Sequence, residues 1–369
     1  MFNMEETVKD FLDECTTCGE CTEACPFLME YGEPDEIIRN MPEKAFLCTN
    51  CTACDRLCPQ DLKPSEALFQ TKIRLIRSGD VPRTTTLAVN AALSYAERGH
   101  KIPFVHYSRS ETAFWPGCSL AGTSPETVEK TAKLLSDLLN TPVGLVLDCC
   151  FDPLYQIGDL DPVKEAVARI QVRLDEKGIQ RLIVGCANCK KVFSQYPLSQ
   201  SVDYVLEILP DDIIENLPDG DPYIHHPCPF YRIEGVPEKA KRILQAGLNS
   251  KRASGPPEPS GTDDLPEIFS GAAEKVVEPD LPSCCGYGGS VNSQDPELAE
   301  KFTEKVTADS YGAYIVTSCM GCVNRFVGKN RETYHILELA TGTNPIRKPV
   351  SALKKWANRL KLARTQRNG

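Results

Sequence analysis

The sequence predicts an α+β / α/β protein in which a small helical domain precedes two pseudo-twofold related α/β lobes. Three observations predict it. Two cysteine runs are confined to the first 60 residues, a five-cysteine pattern occurs twice beyond residue 112, and short β-branched runs ending in cysteine alternate with helical periodicity. The expected boundaries are 1–105 for the helical domain, 112–215 and 220–345 for the two repeats, and 346–369 for a basic tail.

Composition narrows the function. The chain has 369 residues, 41% hydrophobic and 25% charged, and no apolar run reaches the roughly 18 residues of a membrane span. Its opening, MFNMEETVKDFLDE, is acidic and lacks the basic and apolar regions of a secretory signal, so a cytoplasmic protein is expected. The net charge of -10 argues against a nucleic-acid binder, which meets phosphate with a basic footprint. Cysteine is the unusual residue. Eighteen cysteines are about 5% of the chain, too sparse for a small disulfide scaffold, and in a reducing compartment such thiols serve metal or redox chemistry.

The helical domain carries Cys15, Cys18, Cys21 and Cys25 before Pro26, and Cys48, Cys51, Cys54 and Cys58 before Pro59. Each run reads C-x2-C-x2-C-x3-C-P, the spacing that holds a [4Fe-4S] cubane. Three thiolates on a tight loop reach three corners of one cube, and the fourth serves the neighbouring cube. The expected sets are therefore Cys15, Cys18, Cys21 with Cys58, and Cys48, Cys51, Cys54 with Cys25. Zinc sites also use C-x2-C pairs, but they need neither the third cysteine nor the following proline. Apolar periodicity in EALFQTKIRLI after Pro64 and in TLAVNAALSYA from Thr86 predicts two helices packed over these loops, completing a dicluster ferredoxin-type domain.

The remaining ten cysteines form the repeat. Cys118, the pair Cys149 and Cys150, then Cys186 and Cys189 are matched by Cys228, the pair Cys284 and Cys285, then Cys319 and Cys322. Thirty-five residues separate Cys150 from Cys186, and thirty-three separate Cys285 from Cys319. Helices are expected from Ser124-Pro125-Glu126 to about Leu139, from Asp161-Pro162 to Gly178, and from Asp295-Pro296, each with a capping residue before proline. Strands are expected at Val143–Asp148, Arg181–Gly185 and Ala313–Ser318, each followed by cysteines. Sites gather at the carboxyl ends of such strands. Tails YVLEIL from Tyr204 and YHILELA from Tyr334 close the copies, an alignment that sets His335 against Val205. The stretch 249–264, NSKRASGPPEPSGTDD, reads as a surface insert in the second copy.

The ten-cysteine pattern resembles the cysteine-rich CCG family, which includes catalytic subunits of heterodisulfide reductase and iron–sulfur subunits of glycolate, lactate and glycerol-3-phosphate dehydrogenases. With the N-terminal dicluster domain in front, the chain is most similar to the ferredoxin-plus-CCG subunit of heterodisulfide reductase and to the glycolate oxidase iron–sulfur subunit. The resemblance implies that Cys118, Cys149, Cys150, Cys186 and Cys189 hold one non-cubane iron–sulfur cluster, and Cys228, Cys284, Cys285, Cys319 and Cys322 another. Soft thiolates suit such clusters. It makes Cys149, Cys150, Cys284 and Cys285 the cluster-based catalytic candidates, with a disulfide between the two copies.

Two functions follow from the resemblance. In one, an oxidoreductase subunit takes electrons through the two cubanes to cleave a disulfide into two thiols, a task that explains paired special clusters. In the other, the subunit relays electrons between a flavin dehydrogenase and a quinone or cytochrome partner. No G-x-G-x-x-G after a strand, P-loop, G-x-S-x-G or C-x-x-C-H is present, so a flavoprotein, cytochrome or quinone-reactive membrane subunit is the expected partner.

Three departures from the family bear on this. Phe151 follows the first cysteine pair where the family has glycine, which puts the loop geometry or the room for substrate in question. Around Cys228 the family's His-Asp-Pro-Cys-His is replaced by His225-His226-Pro227-Cys228-Pro229, leaving His226 as a proton carrier or a loop residue without a role. His335 stands alone in the second copy, while His100 and His106 carry no motif and are expected at the surface. Charge is also segregated: residues 1–40 hold eleven acidic and two basic side chains, whereas 347–369 hold eight basic and no acidic ones. Leu353, Trp356, Leu360 and Ala363 recur there at helical spacing, so the tail is expected either to lie on an anionic membrane surface or to pack on its own domain.

Overall fold

A computed structural model describes residues 4–23, 25–101, 105–254, 274–279, 281–289 and 291–368. The fold is mixed α/β, with a helical N-terminal region followed by two parallel sheets. Helices Pro64–Ser78 and Arg83–Lys101 lie where the apolar periodicity places them. Asp55 fixes the start of the first, accepting from the Ser65 backbone N–H at 2.8 Å and from its hydroxyl at 2.6 Å.

The first sheet is ordered β1-β3-β2-β4-β5, from β1 (His106–Tyr107), β2 (Thr112–Trp115), β3 (Val143–Leu147), β4 (Arg181–Val184) and β5 (Ser201–Tyr204). Only β1 runs antiparallel to its neighbour. The second sheet, β6 (Pro222–His225), β7 (Tyr314–Thr317) and β8 (Thr333–His335), is parallel throughout. An isolated parallel bridge from Tyr223 to Val277 lies on the flank of β6 that corresponds to β3 beside β2. The central strands are short runs flanked by helices, and β6 and β7 are buried throughout.

Duplication is legible in the register. Trp115, Val184 and Tyr204 form one row across the first sheet, and His225, Thr317 and His335 form its counterpart in the second. Tyr204 and His335 each cap a short helix, with Glu207 and Glu338 accepting from their backbone N–H groups. The counterpart of His335 is thus Tyr204 and not Val205. The paired tyrosines Tyr204 and Tyr334 mislead a sequence alignment by one residue.

Two other boundaries differ from expectation. The helix Leu160–Lys177 is preceded by Asp159, so Asp161 and Pro162 lie inside its first turn and do not open it. Residues 249–254 continue the helix Val236–Ser254, and the remainder of the expected insert lies outside the described residues. Helices Pro125–Leu139 and Pro296–Asp309 start at their prolines, as N1 preference requires.

One apolar core runs through both sheets, joining Phe114, Leu145 and Ile183 to Ile224, Leu244 and Val316. The dicluster region has its own core of Phe27, Ile37 and Leu68, and this continues into Cys284, Leu298 and Phe302 of the second copy. The second cysteine loop of the N-terminal region, with Cys48, Cys51 and Cys54, therefore lies against Cys284 of the second copy.

The C-terminal helix Ala352–Asn368 packs on the helix Cys118–Thr123. Asn358 donates to the Gly122 carbonyl at 2.7 Å and Arg359 to the Cys118 carbonyl at 2.8 Å. Leu362 and Ala363 are buried beneath it, whereas Leu353, expected on the apolar stripe, is 85% exposed. Among the described residues, no helix is long and apolar enough to cross a membrane.

Candidate metal centres and the cavity between them

No disulfide joins any of the eighteen cysteines. In the N-terminal region the chain folds so that Cys58 lies within electrostatic reach of Cys15, and Cys15 and Cys18 within reach of Cys21. Cys25 crosses to the other group, beside Cys48, Cys51 and Cys54. Burial pushes Cys21 up to about 12, and Cys51 likewise, the latter with the nearby charge of Cys284 adding to it. Cys18 is exposed, so the first group reaches the surface while the second adjoins the cysteine-rich copies.

Cys118, Cys149 and Cys186 follow the carboxyl ends of β2, β3 and β4, and Cys228 and Cys319 those of β6 and β7, while Cys284 follows the bridged residue Val277. Cys118 follows Gly117, whose φ of 79° and close approach to Cys186 leave no space for a side chain. Cys149 follows Asp148, a buried carboxylate held by the Tyr107 hydroxyl at 2.7 Å and Arg173 at 2.8 Å, which accepts from the Cys149 N–H at 2.8 Å. Cys186 and Cys319 precede the helices Ala187–Gln195 and Met320–Val327, which carry Cys189 and Cys322 in their first turns.

Phe151 and Gly286 adopt the same left-handed backbone, with φ of 62° and 75°. Each turns its N–H onto the first sulfur of its pair, at 3.4 Å to Cys149 and 3.2 Å to Cys284. The loop geometry is preserved in the first copy despite the phenylalanine. Its ring is 2% exposed and stacks 5.8 Å from the Arg169 guanidinium, inside the core and off the cavity wall.

All ten cysteines line a single cavity of about 940 Å³ between the copies. The cysteine loop at Thr49 and Asn50, the helix bearing Tyr95, and Lys355, Trp356 and Arg359 of the C-terminal helix complete its wall. The thiols crowd one another. Cys322 and Cys285 stand 3.2 Å apart. The Cys149 thiol donates to Cys118 and holds it down at about 6, with the Arg359 charge and the Tyr95 hydroxyl adding to the effect. Hydrogen bonds from Cys228 and Cys285 hold Cys284 well below the usual thiol range. The donors show the converse: Cys149, Cys228, Cys285 and Cys322 are pushed well up. Coordination to a metal deprotonates a thiol outright and so removes this competition for protons. Ten converging thiols therefore fit thiolate-bound metal clusters.

The histidines divide. Burial pushes His225 and His335 down to about 4, so both are neutral near pH 7. His335 Nδ1 accepts from the Leu337 N–H at 3.2 Å, a capping role. His226 packs against Tyr231 and stands 3.7 Å from Glu278, away from the cavity. His106 is half-buried in β1 beside Ser108, and the His100 side chain lies outside the described residues. Sequence reasoning missed Tyr95, Arg359 and Lys72. Lys72 is fully buried, and its ammonium donates to the carbonyls of Cys48 at 2.5 Å and Gln156 at 3.2 Å, joining the second cysteine loop to the first copy.

Comparison with known proteins agrees with this arrangement. The family model for a 4Fe-4S dicluster domain matches residues 14–62, and that for a cysteine-rich domain matches 112–194 and 258–326. A fumarate reductase (CoM/CoB) subunit of Methanothermobacter marburgensis is 25% identical over 331 residues, 79% of this chain and 62% of that one. Against that relative, the chain spans about three-fifths of the length. A subunit of the dihydromethanophenazine:CoB–CoM heterodisulfide reductase of Methanosarcina mazei is 22% identical over 389 residues, covering 88% and 90%. The glycolate oxidase iron-sulfur subunit of Escherichia coli is 22% identical over 372 residues, covering 91% and 83%.

Proposed function

Because the chain belongs to the CCG (cysteine-rich) iron–sulfur family with an N-terminal 4Fe-4S dicluster domain, we propose that it is an electron-transfer subunit of heterodisulfide-reductase type that reduces a disulfide. In this reading residues 1–105 form the dicluster domain, and 112–215 and 220–345 the two cysteine-rich domains. Cys15, Cys18, Cys21 and Cys58 hold one cubane, and Cys48, Cys51, Cys54 and Cys25 the other. Each five-cysteine set holds a non-cubane cluster. When bound, these clusters supply electrons one at a time.

The observation that carries the disulfide reading is the single cavity of about 940 Å³ onto which both five-cysteine sets open. Both five-cysteine sets, with the clusters they would hold, share this one space, so a disulfide entering it would meet both. Two electrons and two protons convert one disulfide R–S–S–R′ into two thiols, and a redox partner protein supplies the electrons. The chain's own contribution is placement: Asp148 and the two left-handed turns fix the cysteine pairs, and Tyr95 and Arg359 wall the cavity beside Cys118. Phe151 does not argue for a relay, because its ring leaves the cavity free.

The likeness to a glycolate oxidase iron-sulfur subunit favours the relay between a flavin dehydrogenase and a quinone or cytochrome as the second reading. Anaerobic EPR of the oxidised protein separates the two. A paramagnetic signal that appears only with an added thiol supports the disulfide enzyme, and its absence across a thiol series leaves the relay. Iron that stops at the ~8 atoms of two cubanes would end the cluster assignment for the cysteine-rich domains.

The outward side of the C-terminal helix, with Lys361 and Arg364 exposed, is a basic surface for peripheral association with an anionic membrane. Lys361→Glu with Arg364→Glu should then abolish co-sedimentation with anionic vesicles while leaving iron content unchanged.

A further inference from the structure

The two copies are matched donor for donor in their cysteines, but the residue that closes the first strand of each copy differs in its chemistry. His225 closes β6 opposite Thr317, two residues before Cys319. Trp115 closes β2 opposite Val184, two residues before Cys186, and so holds the same place in the first copy. Even their packing is shared. Trp115 meets Phe193 edge-on at 5.2 Å and 84°, and His225 meets Phe326 edge-on at 5.0 Å and 86°.

The chemistry at this place is not shared. An indole N–H can donate but has no lone pair for a metal, whereas a neutral imidazole has one. His225 is 1% exposed, and neither of its ring nitrogens has a hydrogen-bond partner. A buried polar group left without partners is costly, so an imidazole in this state needs a ligand to explain it. One is at hand: a His225 ring nitrogen and the sulfurs of Cys285 and Cys322 lie within 4.8 Å of one another, all buried. His335, the other fully buried histidine, is already committed to capping through Nδ1.

We propose that His225 is a nitrogen ligand to the metal centre of the second copy, added to Cys228, Cys284, Cys285, Cys319 and Cys322, so that the two copies hold their clusters with different donor sets. This rests on the reading that the second copy holds a cluster. Imidazole is a neutral donor where thiolate is anionic, so the second centre carries a ligand that adds no negative charge and the first has no equivalent.

The test is electron spin-echo spectroscopy of the full-length, anaerobically reconstituted protein, reading the signal that Cys285→Ser removes. Protein grown with 15N-histidine should show a nitrogen modulation at the 15N frequency that unlabelled protein lacks. This isolates histidine from the Gly286 amide, which also approaches the cysteine sulfurs. The modulation should vanish in His225→Phe, which keeps a ring against Phe326 while removing both nitrogens, and should persist in His335→Gln. His225→Gln serves as a second variant, because it too removes the imidazole. If a Cys285-dependent signal exists without histidine modulation, or with modulation that survives His225→Phe, the inference is overturned while the cluster reading stands. If no signal depends on Cys285, both fall together.

Discussion

Phe151 and Gly286 hold the same left-handed turn after the two cysteine pairs, but only Gly286 has backbone pressed against the place where a side chain would go. A Cβ at 286 would stand 2.2 Å from the Ala299 carbonyl oxygen, while the first copy has room there for a whole phenyl ring. The two copies thus reach one geometry by different means: glycine by freedom of φ, phenylalanine by core packing that offsets strain of about 1–2 kcal/mol.

Phe151→Gly should therefore destabilise. Relief of the strained φ returns about 1 kcal/mol, whereas emptying the ring's site costs about 3–5 kcal/mol. A net loss of roughly 2 kcal/mol or more in anaerobic denaturant titration is expected. Activity with an artificial electron donor should be unchanged, because the ring does not face the cavity. Gly286→Ala should be far more disruptive, abolishing the Cys285-dependent signal. Equal tolerance of the two substitutions would contradict the packing difference.

Lys72 sets a second expectation. Its ammonium is buried against the Cys48 carbonyl, and a buried positive charge favours the more negative, reduced state of a neighbouring cluster. Lys72→Met keeps the stem and removes the charge and two hydrogen bonds. The reduction potential of the cluster assigned to Cys48, Cys51, Cys54 and Cys25 should fall, and that of the cluster assigned to Cys15 should move much less. Redox titration followed by EPR reads both. Parallel shifts would mean that the change acts through the whole fold.

Glu338 gives a pH dependence with a definite sign. Burial raises its carboxyl from 4.5 to about 7, against hydrogen bonds from the His335 and Ile346 backbones and the Arg347 charge. The folded state therefore holds this proton where the unfolded state has released it. Its contribution is greatest below pH 4.5 and is lost as pH rises to about 7, a change of about 3 kcal/mol. Glu338→Gln retains an oxygen for the His335 N–H and removes the ionisation. The variant should melt at a higher temperature than the parent at pH 8 and at a similar one near pH 5. A parent and variant with the same pH profile would place the ionisation elsewhere.

The scaffold is readable in the sequence where local chemistry dominates. Pro125 and Pro296 mark helix starts because proline suits the first turn, and the apolar runs before Cys149, Cys186 and Cys319 are strands because both faces are covered. What stays hidden depends on distant contacts. Arg359 reaches Cys118 across 241 residues, and nothing in a basic tail announces which of its cations is buried. Lys72 does leave a trace, since it falls on the apolar face of its helix four residues after Leu68 and three after Phe69. His335 is misaligned by sequence because Tyr334 imitates Tyr204 one residue away, and only strand register separates them.

The wall of the cysteine cavity is drawn from distant parts of the chain, from Thr49 to Arg359. This has a consequence for biogenesis. The dicluster cysteines lie within one stretch, from Cys15 to Cys58, yet Cys118 gains Arg359 only 241 residues further along the chain. The wall beside Cys118 is thereby completed only when the helix Ala352–Asn368 docks, long after Cys118 itself has been made.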